Sequence, residues 1–590
     1  MTLIRLVWKY LRSKKSVLAL IVTLQIAQVL LSLWLPNLNA HIIDDGIIAG
    51  DTTYIWTTGL LMLGVSLAQI LCISAAMYVS ARTAIGVGKE LRADAFRHVQ
   101  TFSATEQHRF GASTLVTRAT NDITQIQSIL LNSFAILIMA PLLGIGGVAM
   151  AVLEDPPLSL LLLVVVPLLS VLIIGTMRML VPRSVLQQQR INKINTLLRE
   201  QLIGVRVIRA FTQEKTVAHK FEQANLNLRK VWLEIGLLWA FLMPTAQLVV
   251  GISSVGVVWF GGHRIAAGLM NVGALTAYIS YLMMIMGAVM MSGFMVMLFP
   301  RGQVSAGRLA EIFSTTSSIA NSSQPAVVPK RPRTFQMNDV SLKYPGAERG
   351  VLSHITIDLS PGKTVALIGS TGSGKSSILK LIPRLMDPTS GSVTLNGTDI
   401  RDLDLAQLRS IIAFVPQKSF LFAGTIASNV AGQARPTEDI DAERVRTALQ
   451  AAQAWEFVAD LDKTIDAAVE SGGVNFSGGQ RQRLAIARAL YRCLPDQNGQ
   501  RQADLLVFDD SFSALDNATD SRLRSALRSY VGDIAILIVG QRVSSIRHAD
   551  VIHVLDEGQI VGSGTHDHLR ESNETYQEIL ASQMSEEEAY

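Results

Sequence analysis

Six stretches of this chain contain no Asp, Glu, Lys or Arg, and each is long enough to cross a bilayer as a helix. The first, Ser16 to Leu35, covers roughly 30 Å at 1.5 Å per residue. The others run from Ile55 to Ser80, Gln127 to Leu153, Leu158 to Met177, Ile235 to Gly262 and Val272 to Pro300. Only helices or closed barrels satisfy their backbone groups in lipid, so the first half is expected to be an all-α membrane domain. The length of the first stretch and the five behind it argue against a signal peptide. With 590 residues, 49% of them hydrophobic, the chain fits a membrane domain joined to at least one more domain.

Basic residues set the expected orientation, because they accumulate on the cytoplasmic side. Arg5, Lys9, Arg12, Lys14 and Lys15 place the N-terminus inside. The segments after spans one and three, DDGIIAGDTTY and EDPP, hold acids but no Lys or Arg, and read as short outer loops. Those after spans two and four are long and basic, with Arg82, Lys89, Arg92 and Arg97, then Arg178, Arg183, Arg190 and Lys193. Leu197, Leu198, Leu202, Val205 and Ile208 recur at helical spacing there, so the spans should continue as helices beyond the membrane. The net charge of +5 is explained by these flanks, which leaves no reason to expect a nucleic-acid partner. Cys72 and Cys493 are too few for a disulfide framework and read as small buried residues.

No ionisable residue lies within a span, which argues against a proton relay or an ion path built on intramembrane charge. The sixth span carries Met283, Met284, Met286, Met290, Met291, Met295 and Met297. Flexible thioethers suit a surface for varied apolar ligands, but these cover more than one helix face, which favours simple packing. Gln25, Gln28, Asn132 and Gln247 could line a cavity or bond between helices.

Residues 314–334 are rich in Ser, Asn and Pro and read as a linker between a membrane domain, 1–313, and a second domain, 335–590. Beyond it, short apolar strands such as VALIG, IIAFVP, LLVFDD and IAILIVG alternate with helical segments, the pattern of an α/β fold with a mostly parallel central sheet. The strand Thr364 to Ile368, the loop Gly369, Ser370, Thr371, Gly372, Ser373, Gly374, Lys375, Ser376, Ser377 and a following helix form a complete phosphate loop. Glycines let backbone N–H groups converge on phosphates, Lys375 reaches the β- and γ-phosphates, and the Ser376 hydroxyl binds magnesium. ATP and Mg²⁺ are the expected ligands.

Phe476 to Arg483, FSGGQRQR, followed by LAIARALYR and LLVFDD, closely resembles the signature region of ATP-binding cassette proteins. With six preceding spans, nearly the whole chain resembles an ABC exporter half-transporter. The likeness includes Gly111 to Asp122 and Glu200 to Phe211, which are similar to the helices that press on the nucleotide domains in that family. It implies that Tyr344 stacks on adenine, that Gln417 reaches magnesium and senses nucleotide, and that Asp509 holds magnesium through water. It implies that Ser477, Gly478, Gly479 and Gln480 act in trans on the partner's nucleotide. Asp516, closing Ser513 to Asp516 (SALD), would communicate across the dimer.

Two positions break the pattern. The family's competent sites place Glu after the strand-ending Asp and His in the later switch; here stand Asp510 and Gln541. The expectation is a slow, degenerate site in one subunit of a heterodimer, with a different half-transporter as partner. Tolerated drift in a working homodimer is the plainer alternative. The transporter is expected in a bacterial plasma membrane, moving a lipophilic drug or lipid; a nucleotide-gated channel or regulatory subunit and an exporter-fold importer remain alternatives. The polar segment Pro495 to Asp504 reads as a surface loop without bearing on the chemistry.

Overall fold

The computed structural model describes residues 2–432, 440–513 and 515–587. Ala514 of the SALD segment lies outside them, as does the side chain of Met297. The chain divides into two compact units, Met1–Thr101 with Phe110–Thr316, and Phe102–Arg109 with Ser317–Tyr590.

In the first unit a short helix α1 (Thr2–Leu11) precedes six long apolar helices. These are α2 (Lys15–Ile48), α3 (Thr52–Gln100), α4 (Ala112–Glu154), α5 (Leu158–Ala210), α6 (Glu214–Ala266) and α7 (Val272–Ser314). They are the six expected spans, and α3, α5 and α6 outrun their charge-free cores, as the spacing of Leu197 to Ile208 predicts. Residues such as Leu60, Leu71, Leu163 and Val171 face outward, which suits a lipid-facing surface. The inner seam is sealed by Tyr278 and Tyr281 of α7, whose hydroxyls donate to the carbonyls of Leu158 at 3.2 Å and Leu33 at 3.0 Å. At the acidic end of α5, buried Asp155 caps Leu158 N at 2.9 Å and pairs with Arg264 at 2.8 Å.

Polar residues of the spans divide by position. Gln25 and Gln28 are buried, and Gln28 Nε2 reaches Met139 Sδ at 3.6 Å. Asn132 donates to Ser128 O on its own helix, and Gln247 is exposed, so neither bonds between helices. In the Gly111 to Asp122 segment, a turn of π geometry at Arg118–Asp122 directs both charges at α7. Arg118 meets Glu311 at 2.8 Å, and Asp122 accepts from Ser305 Oγ at 2.9 Å.

The second unit is built on a six-stranded sheet in the order β10-β9-β3-β8-β7-β6. The strands are β3 (Thr364–Gly369), β6 (Ile412–Val415), β7 (Leu505–Asp509), β8 (Ala535–Val539), β9 (Val551–Asp556) and β10 (Gln559–Gly564). All neighbours pair in parallel except β9 with β10. Central strands are buried on both faces, which is why VALIG, LLVF and AILIV read as continuous apolar runs. A second, antiparallel sheet joins β1 (Phe335–Leu342), β2 (Leu352–Leu359), β4 (Ser390–Leu395) and β5 (Thr398–Asp399) in the order β2-β1-β4-β5.

The Ser- and Pro-rich segment is strapped to this unit. Ala326 bridges Leu403, and Ala326 and Val328 pack on the core. Arg331 and Arg333 both pair with Asp504, which is 7% exposed. The reading of Pro495 to Asp504 as a surface loop is therefore corrected at its end: Pro495 and residues 497–500 are exposed, but Ala503 and Asp504 are buried, and Asp504 anchors the strap. Asp504→Ala leaves two guanidinium groups without their acid. Because Arg331 is partly exposed, we expect a loss of about 2 kcal/mol, a fall of roughly 5 °C in the unfolding midpoint of this unit by calorimetry. An unchanged midpoint would mean that the strap adds nothing.

Candidate nucleotide-binding site

The strand β3 ends at Gly369, and α8 (Lys375–Leu381) starts after a loop whose shape demands glycine. A Cβ on Gly369 would lie 2.1 Å from Leu555 O. Gly374, the N-cap of α8, holds φ +101°, and a Cβ there would meet Leu352 Cδ2 at 2.6 Å. Ser370, Thr371, Gly372 and Ser376 are exposed around this cradle, while Ser373 and Ser377 are buried supports.

Lys375 folds back into the loop. Its Nζ donates to Gly369 O and Ser370 O at 2.8 Å each and lies 3.2 Å from Ser373 Oγ. Burial holds its pKa below that of an ordinary lysine, against the opposing pull of the Asp510 and Asp509 charges. Tyr344 stands at the edge of the cradle, its hydroxyl 3.1 Å from Ser377 Oγ and its ring under Lys380 Nζ at 5.7 Å. Lys380 carries no signal in the sequence; the turn from Ser376 along α8 is what brings it to Tyr344.

Asp509 closes β7 and Asp510 follows it with φ +46°, a left-handed conformation that turns its side chain back over the site. Asp510 Oδ2 accepts from Gln417 Nε2 at 3.3 Å, and the Asp510 carboxylate also takes the backbone N–H of Gln541. Gln417, Asp510 and Gln541, widely separated in sequence, thus meet. Burial raises the pKa of both aspartates, and for Asp509 the Asp510 charge adds to it. The side chain of Gln541 is exposed, and its carbonyl accepts from Gln583 Nε2 at 2.7 Å. Gln583, on α11 (Glu574–Glu587), also accepts from Val543 N at 2.8 Å through Oε1. It fastens the backbone on both sides of Arg542, a role no local pattern announces.

Ser477 is the N-cap of α9 (Gly478–Cys493). Its Oγ accepts from Gln480 N at 3.3 Å, while Gln480 Oε1 accepts from Ser477 N at 2.9 Å, a reciprocal capping box. Ser477 and Gly478 are exposed, Gly479 and Gln480 half-buried, and a Cβ on Gly478 would meet nothing within 4 Å. The helix N-terminus is therefore presented outward, open to close approach by an anion. Asp516 caps α10 (Asn517–Val531), accepting from Thr519 N and Oγ1 at 2.8 Å each; these bonds hold its pKa low.

A model of the ABC transporter transmembrane region matches residues 18–289, and one described as ABC transporter matches 352–496. An uncharacterized ABC transporter ATP-binding protein of Mycobacterium tuberculosis strain H37Rv is 41% identical over 98% of both chains. This chain belongs to the ABC transporter family. As an ABC transporter it is a multi-pass membrane protein whose second unit is the family's ATP-binding, ATP-hydrolysing domain. An uncharacterized ABC transporter ATP-binding protein of Bacillus subtilis strain 168 is 31% identical over 96% of both chains. The ATP-dependent lipid A-core flippase of Vibrio vulnificus is 27% identical over 98% of this transporter and 97% of the flippase. In fold, the transporter matches the structure of a bacterial Atm1-family ABC exporter with ATP bound, with a TM-score of 0.78, 22% identity and coverage of 97% and 98%. In fold it is an exporter-type half-transporter, with one membrane unit and one nucleotide unit in the chain.

Proposed function

We propose that this chain is the degenerate-site subunit of a heterodimeric ABC exporter of lipophilic compounds in a bacterial plasma membrane. The observation that carries the reading is the pairing of Asp510 with Gln541 at the reacting end of a site whose phosphate loop and signature are intact. The cradle of Gly369 to Ser377 and Lys375 binds ATP, with Tyr344 as the surface for adenine. Asp is one methylene shorter than Glu, and a misplacement of about 1 Å at an attacking water costs on the order of a hundredfold. Gln541 hydrogen-bonds but cannot carry positive charge toward the developing phosphoryl charge. Nucleotide is held while its hydrolysis is slow.

The oxygen donors suit Mg²⁺, a hard ion that binds through one or two carboxylates plus phosphates. Ser376 Oγ and Asp509 would hold it, and Gln417, with Nε2 turned onto Asp510, keeps Oε1 for the same purpose. Bound there, the ion would neutralise charge on the β- and γ-phosphates. The outward N-terminus of α9 serves the partner's nucleotide: Ser477 fixes the helix start, Gly478 and Gly479 permit close approach, and Asp516 sets the neighbouring segment between the two sites. ATP closes the nucleotide domains, and hydrolysis at the partner's site resets them. The lipid that the Vibrio relative is named for, lipid A-core, supports a lipophilic cargo.

Purifying the tagged chain from its own cells should bring down a second half-transporter with Glu and His where this one has Asp510 and Gln541. Recovery of this chain alone would overturn the heterodimer. Gly478→Asp, whose Cβ would meet nothing within 4 Å, puts a carboxylate where the partner's γ-phosphate belongs. It should lower the pair's ATPase rate by about a hundredfold while nucleotide binding to this chain's own loop persists.

A further inference from the structure

A cleft of about 650 Å³ opens between α5 and α7 within the first unit, lined by apolar groups such as Ile173, Met177 and Val289. Its size is that of a small-molecule site. The polar lining consists of Ser170, Ser292 and Arg178. The two hydroxyl protons are already committed: Ser170 Oγ donates to Val166 O at 2.8 Å and Ser292 Oγ to Ala288 O at 2.9 Å. Arg178 is exposed, and among the described residues no carboxylate pairs with it. Arg183, in the neighbouring cleft against α6, is instead neutralised by Glu234 at 3.1 Å. The cleft thus offers apolar walls, acceptor oxygens and a single free cationic donor.

Arg178 follows directly on the charge-free stretch Leu158 to Met177, about 30 Å along the helix from Leu158, where hydrocarbon gives way to head groups. From Ser170 to Pro182 the lining extends about 18 Å along α5. Gly293 permits the close approach of the walls, since a Cβ there would lie 2.6 Å from Ile173 Cγ2. An arginine at this depth ordinarily reaches up to bulk lipid phosphate. Here it also edges a cavity with no other group able to donate to an acid, and its fork matches a carboxylate or phosphate.

We propose that this cleft binds an amphiphile with one acidic head group and a single apolar tail, the acid on Arg178 and the tail along Ile173 and Val289. The proposal rests on the reading of the chain as a transporter of lipophilic compounds and names their class. Because both walls belong to one chain, the test needs no partner: equilibrium binding of radiolabelled oleate and of oleyl alcohol to the full-length chain in nanodiscs of neutral phosphatidylcholine, without ATP. Oleate should bind about ten- to a hundredfold tighter than the alcohol, and Arg178→Gln should remove that advantage and leave alcohol binding unchanged. Arg178→Lys should retain most of it, and Val289→Trp, which fills the cleft, should weaken both ligands. Competition with lysophosphatidate identifies the natural head group: stronger displacement than by unlabelled oleate assigns a phosphate lipid, weaker a free fatty acid. Equal binding of oleate and alcohol, or oleate affinity unchanged in Arg178→Gln, overturns the proposal. Since binding is read without turnover, such a result leaves the nucleotide-site reading standing, and a failed transport assay with binding intact counts against that reading instead.

Discussion

Asp510→Glu combined with Gln541→His should raise ATP hydrolysis at this chain's phosphate loop by about a hundredfold. The two positions already meet, because the Asp510 carboxylate takes the backbone N–H of Gln541 and the Nε2 of Gln417 at 3.3 Å. Glu places its carboxylate one methylene further from a backbone that φ +46° turns over the site. His brings a group able to become cationic where Gln541 stays neutral. Groups that act together in one step are not additive, so each single substitution should give only a small part of the gain. Single-turnover hydrolysis in the purified pair, with the partner's loop lysine changed to alanine so that only this site reacts, measures the effect. No gain in the double variant would mean that the slow step lies elsewhere.

Lys375→Ala should weaken ATP binding to this chain by about a hundredfold and leave the partner's site turning over. Lys375 Nζ is buried against Gly369 O, Ser370 O and Ser373 Oγ, so the ammonium is held in the cradle by three oxygens. Its charge is offset by Asp509 and Asp510, which pull its pKa up against burial. Alanine removes the only cation within the loop and the fastening of the loop to its own carbonyls together. Arginine is a poor rescue, because a planar fork cannot replace a compact ammonium among carbonyls. Subunit-resolved photolabelling with an azido-ATP should show this chain unlabelled and the partner labelled.

The parts legible in the sequence were those with local causes. The six spans follow from the absence of charge, and the long helices beyond the membrane from the spacing of Leu197, Leu198, Leu202, Val205 and Ile208. The phosphate loop and the capped signature helix are contiguous motifs whose geometry follows from glycine and serine at fixed places. What the sequence hid depends on distant partners. Asp504 ends a polar segment that looks dispensable, yet it is fixed by Arg331 and Arg333, more than a hundred and sixty residues away in the chain. Gln583 lies in a helix of mixed polarity, and only the fold brings it to the carbonyl of Gln541 and the amide of Val543. In sequence Arg178 is one more member of the basic flank, and only the packing of α5 against α7 sets it at the edge of a cleft.

The most direct test of unequal sites is the ATPase rate of this chain purified alone, with and without Lys375→Ala. A degenerate site predicts a rate near background that Lys375→Ala leaves unchanged, with turnover appearing only when the partner is added. A robust rate from the lone chain, abolished by Lys375→Ala, would show a working homodimer and contradict it.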